Sequence, residues 1–227
     1  MSQKTIVLTG CTRGLGRALF HAWDAMGHTV FGCGRNETAV DELRTSVDDR
    51  HRIDAVDIAD GGQVKKWSET VIDATGSPDF LVNNAGVVHR PAPFWEIPQK
   101  EVEDVFRVNV LGTSRVLKAF LPAMILRGRG MIVNLSSGAG RSGIGGIAAY
   151  ASTKWAIEGL SKSVAAELPK GIGIVPLSPG MVDTDMLRFC YGTTAGNYRN
   201  PRQWAQAAAA FILSLTPEHN GQSLSTP

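Results

Sequence analysis

Short apolar runs and longer amphipathic ones alternate along the whole chain. Lys4 to Thr9 (KTIVLT) has a strand's length and composition, and it runs directly into a glycine-rich turn, Gly10 to Gly16. Beyond that turn the apolar positions Leu15, Leu19, Ala22, Trp23 and Met26 recur at helical spacing and stop at Gly27. Thr29 to Phe31 predicts a second strand, followed by a helix capped at Asn36 and a third strand from Arg52 to Val56. Gly61 to Ala74 predicts a helix, and Asp79 to Val82 a fourth strand ending in Asn83-Asn84-Ala85-Gly86. Pro98, suited to a helix's first turn, opens one long predicted helix through Asn109 to Leu126. Met131 to Leu135 predicts a fifth strand, Ala149 to Leu168 a helix, and Gly173 to Leu177 a sixth strand. A last helix runs from Asn200-Pro201 to Leu215, and Gln222 to Ser225 predicts a short closing strand. This alternation predicts the α/β class: one domain over residues 1–227, a parallel doubly wound sheet of about seven strands, with helices on both faces.

Composition changes this picture only by exclusion. The chain has 227 residues, 43% hydrophobic and 19% charged, ordinary for one globular α/β domain. A net charge of +2, with basic residues scattered, gives no handle for nucleic acid or a membrane surface. The first apolar run, Thr5 to Leu8, is too short for a signal-peptide core, and the uncharged stretch Gln203 to Pro217 is too short for a membrane span. Cys11, Cys33 and Cys190 are odd in number and lack metal-type spacing, which predicts a reduced, cytoplasmic setting and no metal site.

The candidate chemistry centres on Asn134 to Lys154, NLSSGAGRSGIGGIAAYASTK. Tyr150 and Lys154 lie one helical turn apart, so both side chains project from one face. A free phenol is a poor acid-base catalyst at neutral pH, and a neighbouring ammonium is expected to pull its pKa down. Ser137, where the fifth strand gives way to a loop, places a hydroxyl to hold a substrate oxygen beside that phenol; Ser136 is its unchosen neighbour. Gly10, Gly14 and Gly16 between a strand and a helix let the backbone approach a pyrophosphate on the helix N-terminus. After the second strand the chain carries Arg35 and Asn36 rather than the acidic residue an NAD ribose prefers. Arg35, with Arg13 from the glycine turn, suits a 2′-phosphate, so the expected cofactor is NADP.

Thr9-Gly10-Cys11-Thr12-Arg13-Gly14-Leu15-Gly16, Asn83-Asn84-Ala85-Gly86, Asn109, Ser137, Tyr150-x-x-x-Lys154 and Pro179-Gly180-Met181-Val182-Asp183-Thr184 occur in that order. Together they resemble the short-chain dehydrogenase/reductase family in its compact form, across nearly the whole chain. The resemblance implies a Rossmann-type fold and hydride transfer between a nicotinamide and a small-molecule carbonyl/alcohol pair. It implies Tyr150 as the acid-base residue, Lys154 as the group that lowers its pKa and holds the nicotinamide ribose, Ser137 as the substrate clamp, and Asn109 as support for a relay water. Gly10, Thr12, Arg13, Gly14, Leu15, Gly16, Arg35, Asn36, Asp57, Ile58, Asn83, Ala85, Gly86, Pro179, Gly180, Val182 and Thr184 would line the cofactor, with Tyr150 and Lys154. It also implies a homodimer or homotetramer.

Residues 185–200 take the place of the family's substrate lid. Met186, Leu187, Phe189, Tyr191 and Tyr198 predict a hinged apolar cover, with Arg188 and Arg199 facing solvent. His89 and Arg90, just past the Asn83–Gly86 turn, are placed where they can face the pocket, and a solvated loop histidine is the favoured reading of His89. Two rival readings stand next to the carbonyl reductase: an NAD-dependent alcohol dehydrogenase of the same family, and a non-catalytic dinucleotide-binding regulator.

Overall fold

Every strand of the sheet is parallel, which the buried, near-continuous apolar runs require. The computed structural model describes residues 2–227. The chain runs β1 (Thr5–Thr9), α1 (Gly14–Ala25), β2 (Thr29–Gly34), α2 (Glu37–Thr45), β3 (Arg52–Ala55), α3 (Gly61–Thr75), β4 (Phe80–Asn83), α4 (Gln99–Phe106) and α5 (Thr113–Arg127). It continues through β5 (Gly130–Leu135), α6 (Ala148–Glu167), β6 (Ile172–Ser178), α7 (Asp185–Tyr191), α8 (Pro201–Ser214) and β7 (Leu224–Ser225). The seven strands lie in the order β3-β2-β1-β4-β5-β6-β7. Strand order reverses between β1 and β4, and ligands of such sheets bind at the carboxyl ends beside that reversal.

Each face of the sheet has its own core. On one, Leu19, Phe20 and Trp23 of α1 meet Trp204, Ala205 and Ala208 of α8, and the Trp23 indole donates to the Ala209 carbonyl at 3.2 Å. On the other, Trp67 of α3 meets Phe120 of α5 edge-on at 5.3 Å between ring centroids, above Leu81 and Ile132 of the sheet. The small residues of α8 let it lie close against α1.

Two segments differ from expectation. The helix predicted from Pro98 to Leu126 is interrupted: α4 and α5 are joined by a π-helical turn, Arg107–Gly112, and Pro98 caps α4 from outside. Long-range hydrogen bonds converge on the interruption. The buried Asn109 side chain is committed to Val87 and to Thr153, and the Thr113 hydroxyl takes the Asn109 carbonyl at 2.9 Å. Such turns gather at functional sites. The second is residues 185–200, expected as a hinged cover with no helix of its own and found helical: α7 is followed by a 3₁₀ stretch, Gly192–Asn197. Thr184 caps α7, its hydroxyl oxygen accepting from the Leu187 N–H at 3.2 Å.

Candidate active site

β5 and the first turns of α6 bring the three central side chains together. Ser137 leaves the end of β5 in extended conformation, and its Oγ accepts from the Ala139 N–H at 3.2 Å. Tyr150 and Lys154 follow on one face of α6. The Lys154 Nζ donates to the Leu135 carbonyl at 2.8 Å and stands 5.5 Å from the Tyr150 ring centroid. Lys154 is buried, and burial lowers its pKa from 10.5 to about 8. Tyr150 goes the other way: burial pushes its phenol up to about 12, Cys190 and Tyr191 add to the rise, and the Ser137 hydroxyl opposes it. Lost hydration is the largest cause of that rise, and the lysine ammonium, expected to lower the phenol, is not among its causes. Ser136 points inward, its hydroxyl buried and without a protein partner.

Around the phenol lies a small apolar cluster: Ala139, Ile147 and Ala151, packed by Val88, Ile144 and Cys190. Cys190 comes from α7, so the lid segment sits against the catalytic face. Arg188 is exposed and held by Asp183 through bonds of 2.6 and 2.7 Å, and Arg199 donates to the Pro227 carbonyl at 2.9 Å. Neither turns toward Tyr150.

Asn109 joins this group by a route the sequence does not display. Its Oδ1 accepts from the Val87 N–H at 2.8 Å, and its Nδ2 donates to the Val87 carbonyl at 2.9 Å and to the Thr153 hydroxyl at 3.0 Å. With these three bonds the amide clamps the segment after Gly86 to α6. His89, expected in solvent, is buried: Nδ1 pairs with the Arg90 carbonyl at 2.8 Å, and Nε2 has no protein partner. Arg90 itself is exposed, and its N–H donates to Glu101.

At the other side of the reversal point, α1 begins with no capping side chain, leaving the first-turn N–H groups of Gly14, Leu15 and Gly16 open to an anion. A Cβ on Gly16 would collide with the Gly10 carbonyl oxygen, so only glycine permits this turn. At the tip of β2, a Cβ on Gly34 would lie 2.6 Å from the Thr12 Cγ2. That close approach sets the glycine turn against the tip of β2, the two segments that carry Arg13 and Arg35. Both are exposed, and among the described residues neither has a carboxylate within salt-bridge distance. Thr184 faces Gly14, where a Cβ would meet the threonine methyl at 3.8 Å. Gly180 turns the chain at φ +71°, Pro179 presents its carbonyl to the Trp204 indole at 3.0 Å, and Val182 is buried.

Several predicted cofactor residues contribute otherwise than expected. Asn36 spends its side-chain oxygen capping α2 through the Ala39 N–H. Asp57 lies 4.0 Å from Arg107 and accepts from the Ala59 N–H, while Asp60 caps α3. Ile58 is core. Asn83 is buried and donates to Asn134 at 2.8 Å, so its side chain does not line an adenosine site; Ala85 and Gly86 lie at the surface of that cleft, half-buried.

Comparison with known proteins decides the family. The model of the short chain dehydrogenases matches residues 4–192. The chain belongs to that family. This short chain dehydrogenase is 39% identical over 226 residues to an NADPH-dependent pterin aldehyde reductase of Arabidopsis thaliana, spanning 99% of this chain and 93% of the relative. It is 35% identical over 189 residues to a 3-oxoacyl-[acyl-carrier-protein] reductase of Staphylococcus aureus, spanning 81% and 76%. Among solved structures, a short-chain dehydrogenase from Streptomyces avermitilis superposes with a TM-score of 0.86 at 32% identity, covering 100% of this chain and 88% of that one. As a family member, the chain is an oxidoreductase of carbonyl and alcohol groups.

Within the dehydrogenase, two residues absent from the sequence-based site hold the cleft together. The Asn84 amide donates to the Thr9 and Gly10 carbonyls at 2.9 and 3.0 Å, and the Thr9 hydroxyl accepts from the Asn84 and Ala85 N–H groups at 3.1 Å. Their signal was visible: a threonine directly before the first glycine and a second asparagine in the Asn83–Gly86 turn. The uncapped helix, the glycine turn and the unpaired arginines together fit a phosphorylated dinucleotide.

Proposed function

We propose that this dehydrogenase is an NADPH-dependent reductase of neutral aldehydes or ketones carried on a flat apolar or heteroaromatic body, pterin aldehyde being the first compound to try. The observation that carries this reading is the Tyr150 phenol, half-buried between Ser137 and the apolar cluster with the Lys154 ammonium 5.5 Å from its ring centroid. Bound nicotinamide supplies the hydride; the rest falls to side chains of this chain. The Ser137 and Tyr150 hydroxyls hold the carbonyl oxygen. Tyr150 gives it a proton, and a phenol raised to about 12 is fully protonated at neutral pH, which suits reduction better than oxidation. Lys154, still mainly cationic at neutral pH, stabilises the phenolate that the transfer leaves and holds the ribose. Arg13 and Arg35 grip the 2′-phosphate.

The apolar lining by Val88, Ile144, Ile147 and Cys190 favours a neutral substrate. So does the engagement of Arg188 by Asp183, which keeps that guanidinium from an anionic substrate group. Residues 185–200 act as the cover of this cleft. The 39% identity to a pterin aldehyde reductase supports the heteroaromatic class. A second reading, reduction of 3-oxoacyl thioesters, is favoured by the 35% identity to the Staphylococcus aureus reductase. NADPH consumption across pterin aldehyde, aromatic ketones and diones, their carboxylated analogues and 3-oxoacyl thioesters separates them. The reading expects neutral aromatic carbonyls to lead by at least about tenfold in kcat/KM, a difference one or two pocket contacts supply. Thioesters or carboxylates leading by that margin would overturn it.

A further inference from the structure

Arg141 stands just past the turn that carries Ser137, outside every group assigned above, yet it is among the most heavily bonded side chains of the molecule. Its Nε donates to Glu158 at 2.9 Å, Nη1 to the Ser225 hydroxyl at 3.1 Å, and Nη2 to the Leu224 carbonyl at 2.6 Å and the Pro176 carbonyl at 3.5 Å. Glu158 is buried on α6, one turn beyond Lys154, and its other oxygen accepts from the Ser223 hydroxyl at 2.6 Å. We propose that Arg141, with Glu158 and the segment Ser223–Thr226, is a positioning clasp that fixes Ser137 against Tyr150.

The clasp spans the elements that must agree for the reaction to occur. Arg141 closes the turn begun by Ser137, its N–H donating to the Gly138 carbonyl at 3.0 Å while the Gly140 N–H donates to the Ser137 carbonyl at 2.9 Å. That turn lies directly on α6: a Cβ on Gly140 would stand 2.7 Å from the Lys154 carbonyl oxygen. On the far side, the Thr226 hydroxyl donates to the Pro179 carbonyl at 3.1 Å and its N–H to the Ser178 carbonyl at 3.0 Å. One bonded run therefore joins the Ser137 turn, the helix of Tyr150 and Lys154, and the loop leading to Thr184. Arginine is the residue for this task, because its planar fork reaches a carboxylate, a hydroxyl and two carbonyls at once. A buried ion pair is weak ground for stability and better ground for geometry.

The inference rests on Ser137 holding the carbonyl oxygen, and Ser137→Ala run in parallel separates the two: turnover retained in that variant sinks the role of Ser137 itself. Steady-state kinetics of the whole chain with NADPH and an aromatic aldehyde, well below each variant's Tm, test the clasp. Arg141→Ala should lower kcat about tenfold, as a small misplacement of reacting groups does, with KM for the carbonyl and Kd for NADPH within about twofold. Arg141→Lys should fall between, since an ammonium restores the bond to Glu158 but not the reach to Leu224. Arg141→Ala strands a buried carboxylate, so Ser223→Ala is the gentler companion; it should lower kcat about threefold on the same positional grounds and add nothing to Arg141→Ala. Unchanged kcat in Ser223→Ala, a loss confined to KM, or additive losses would each overturn the clasp.

Discussion

At the scale of single residues, environment rather than spacing sets the chemistry. Tyr150 and Lys154 are one turn apart as their positions require, yet burial raises one pKa to about 12 and lowers the other to about 8. The lysine therefore predicts a pH dependence. Its cation is present below about 8 and is lost as pH rises beyond it, so reductive kcat/KM should fall on the alkaline side with a limb near that value. Stability runs in the opposite sense. Between about 8 and 10.5 the unfolded chain holds a proton that the folded lysine has shed, so this group's contribution to stability rises with pH across that window. A pH–rate profile beside denaturation at several pH values checks both signs. Arg35 carries the second prediction at this scale. Arg35→Asp removes the partner of the 2′-phosphate and adds an acceptor for ribose hydroxyls, so the kcat/KM ratio of NADPH to NADH should drop by at least about tenfold, the worth of one lost charge-assisted contact. An unchanged ratio would remove Arg35 from the site.

Elements show what was legible and why the rest was not. The strands, the glycine turn and the Ser137–Tyr150–Lys154 set announce themselves through local spacing, and the structure places them within a residue or two of expectation, except that β2 runs three residues past Phe31 to Gly34. The π-helical turn does not. Asn109 departs from an ordinary helix because of partners 22 and 44 residues away, Val87 and Thr153, and no local pattern names them. His89 is buried by packing that a loop sequence does not declare, and Arg141 finds Leu224 across 83 residues. The lid reads as a loop because α7 is short and glycines follow it, while its Thr184 cap is a local signal that was available. Asn109→Ala tests the reading of that residue as a clamp. It leaves the Val87 N–H without its acceptor, so chemical denaturation should show a loss of about 1–3 kcal/mol in stability. A neutral result would mean that Asn109 acts through its main chain alone.

For the whole molecule, several exposed apolar side chains stay unexplained by a lone chain. Phe106 and Leu111, at the end of α4 and in the π-helical turn, and Trp155 on α6 are exposed beside the small or polar positions Ser152 and Gly159. Such a patch of apolar residues flanked by a small-residue stripe suits a second copy across a two-fold axis. We propose that the dehydrogenase is a homodimer or homotetramer through this face, and Trp155→Glu should give a monomer by light scattering at micromolar concentration; an unaltered mass would move the interface elsewhere. All of these scales converge on one proton. The most direct measurement of the central claim is single-turnover oxidation of bound NADPH by an aromatic aldehyde in wild type and in Tyr150→Phe, with NADPH affinity measured on both. Removing the hydroxyl while keeping the ring should slow the step by at least about 10²-fold and leave NADPH affinity within about twofold, since general acid catalysis is lost and binding is not. Turnover retained at the wild-type rate would contradict the assignment of Tyr150 and the reductase mechanism built on it.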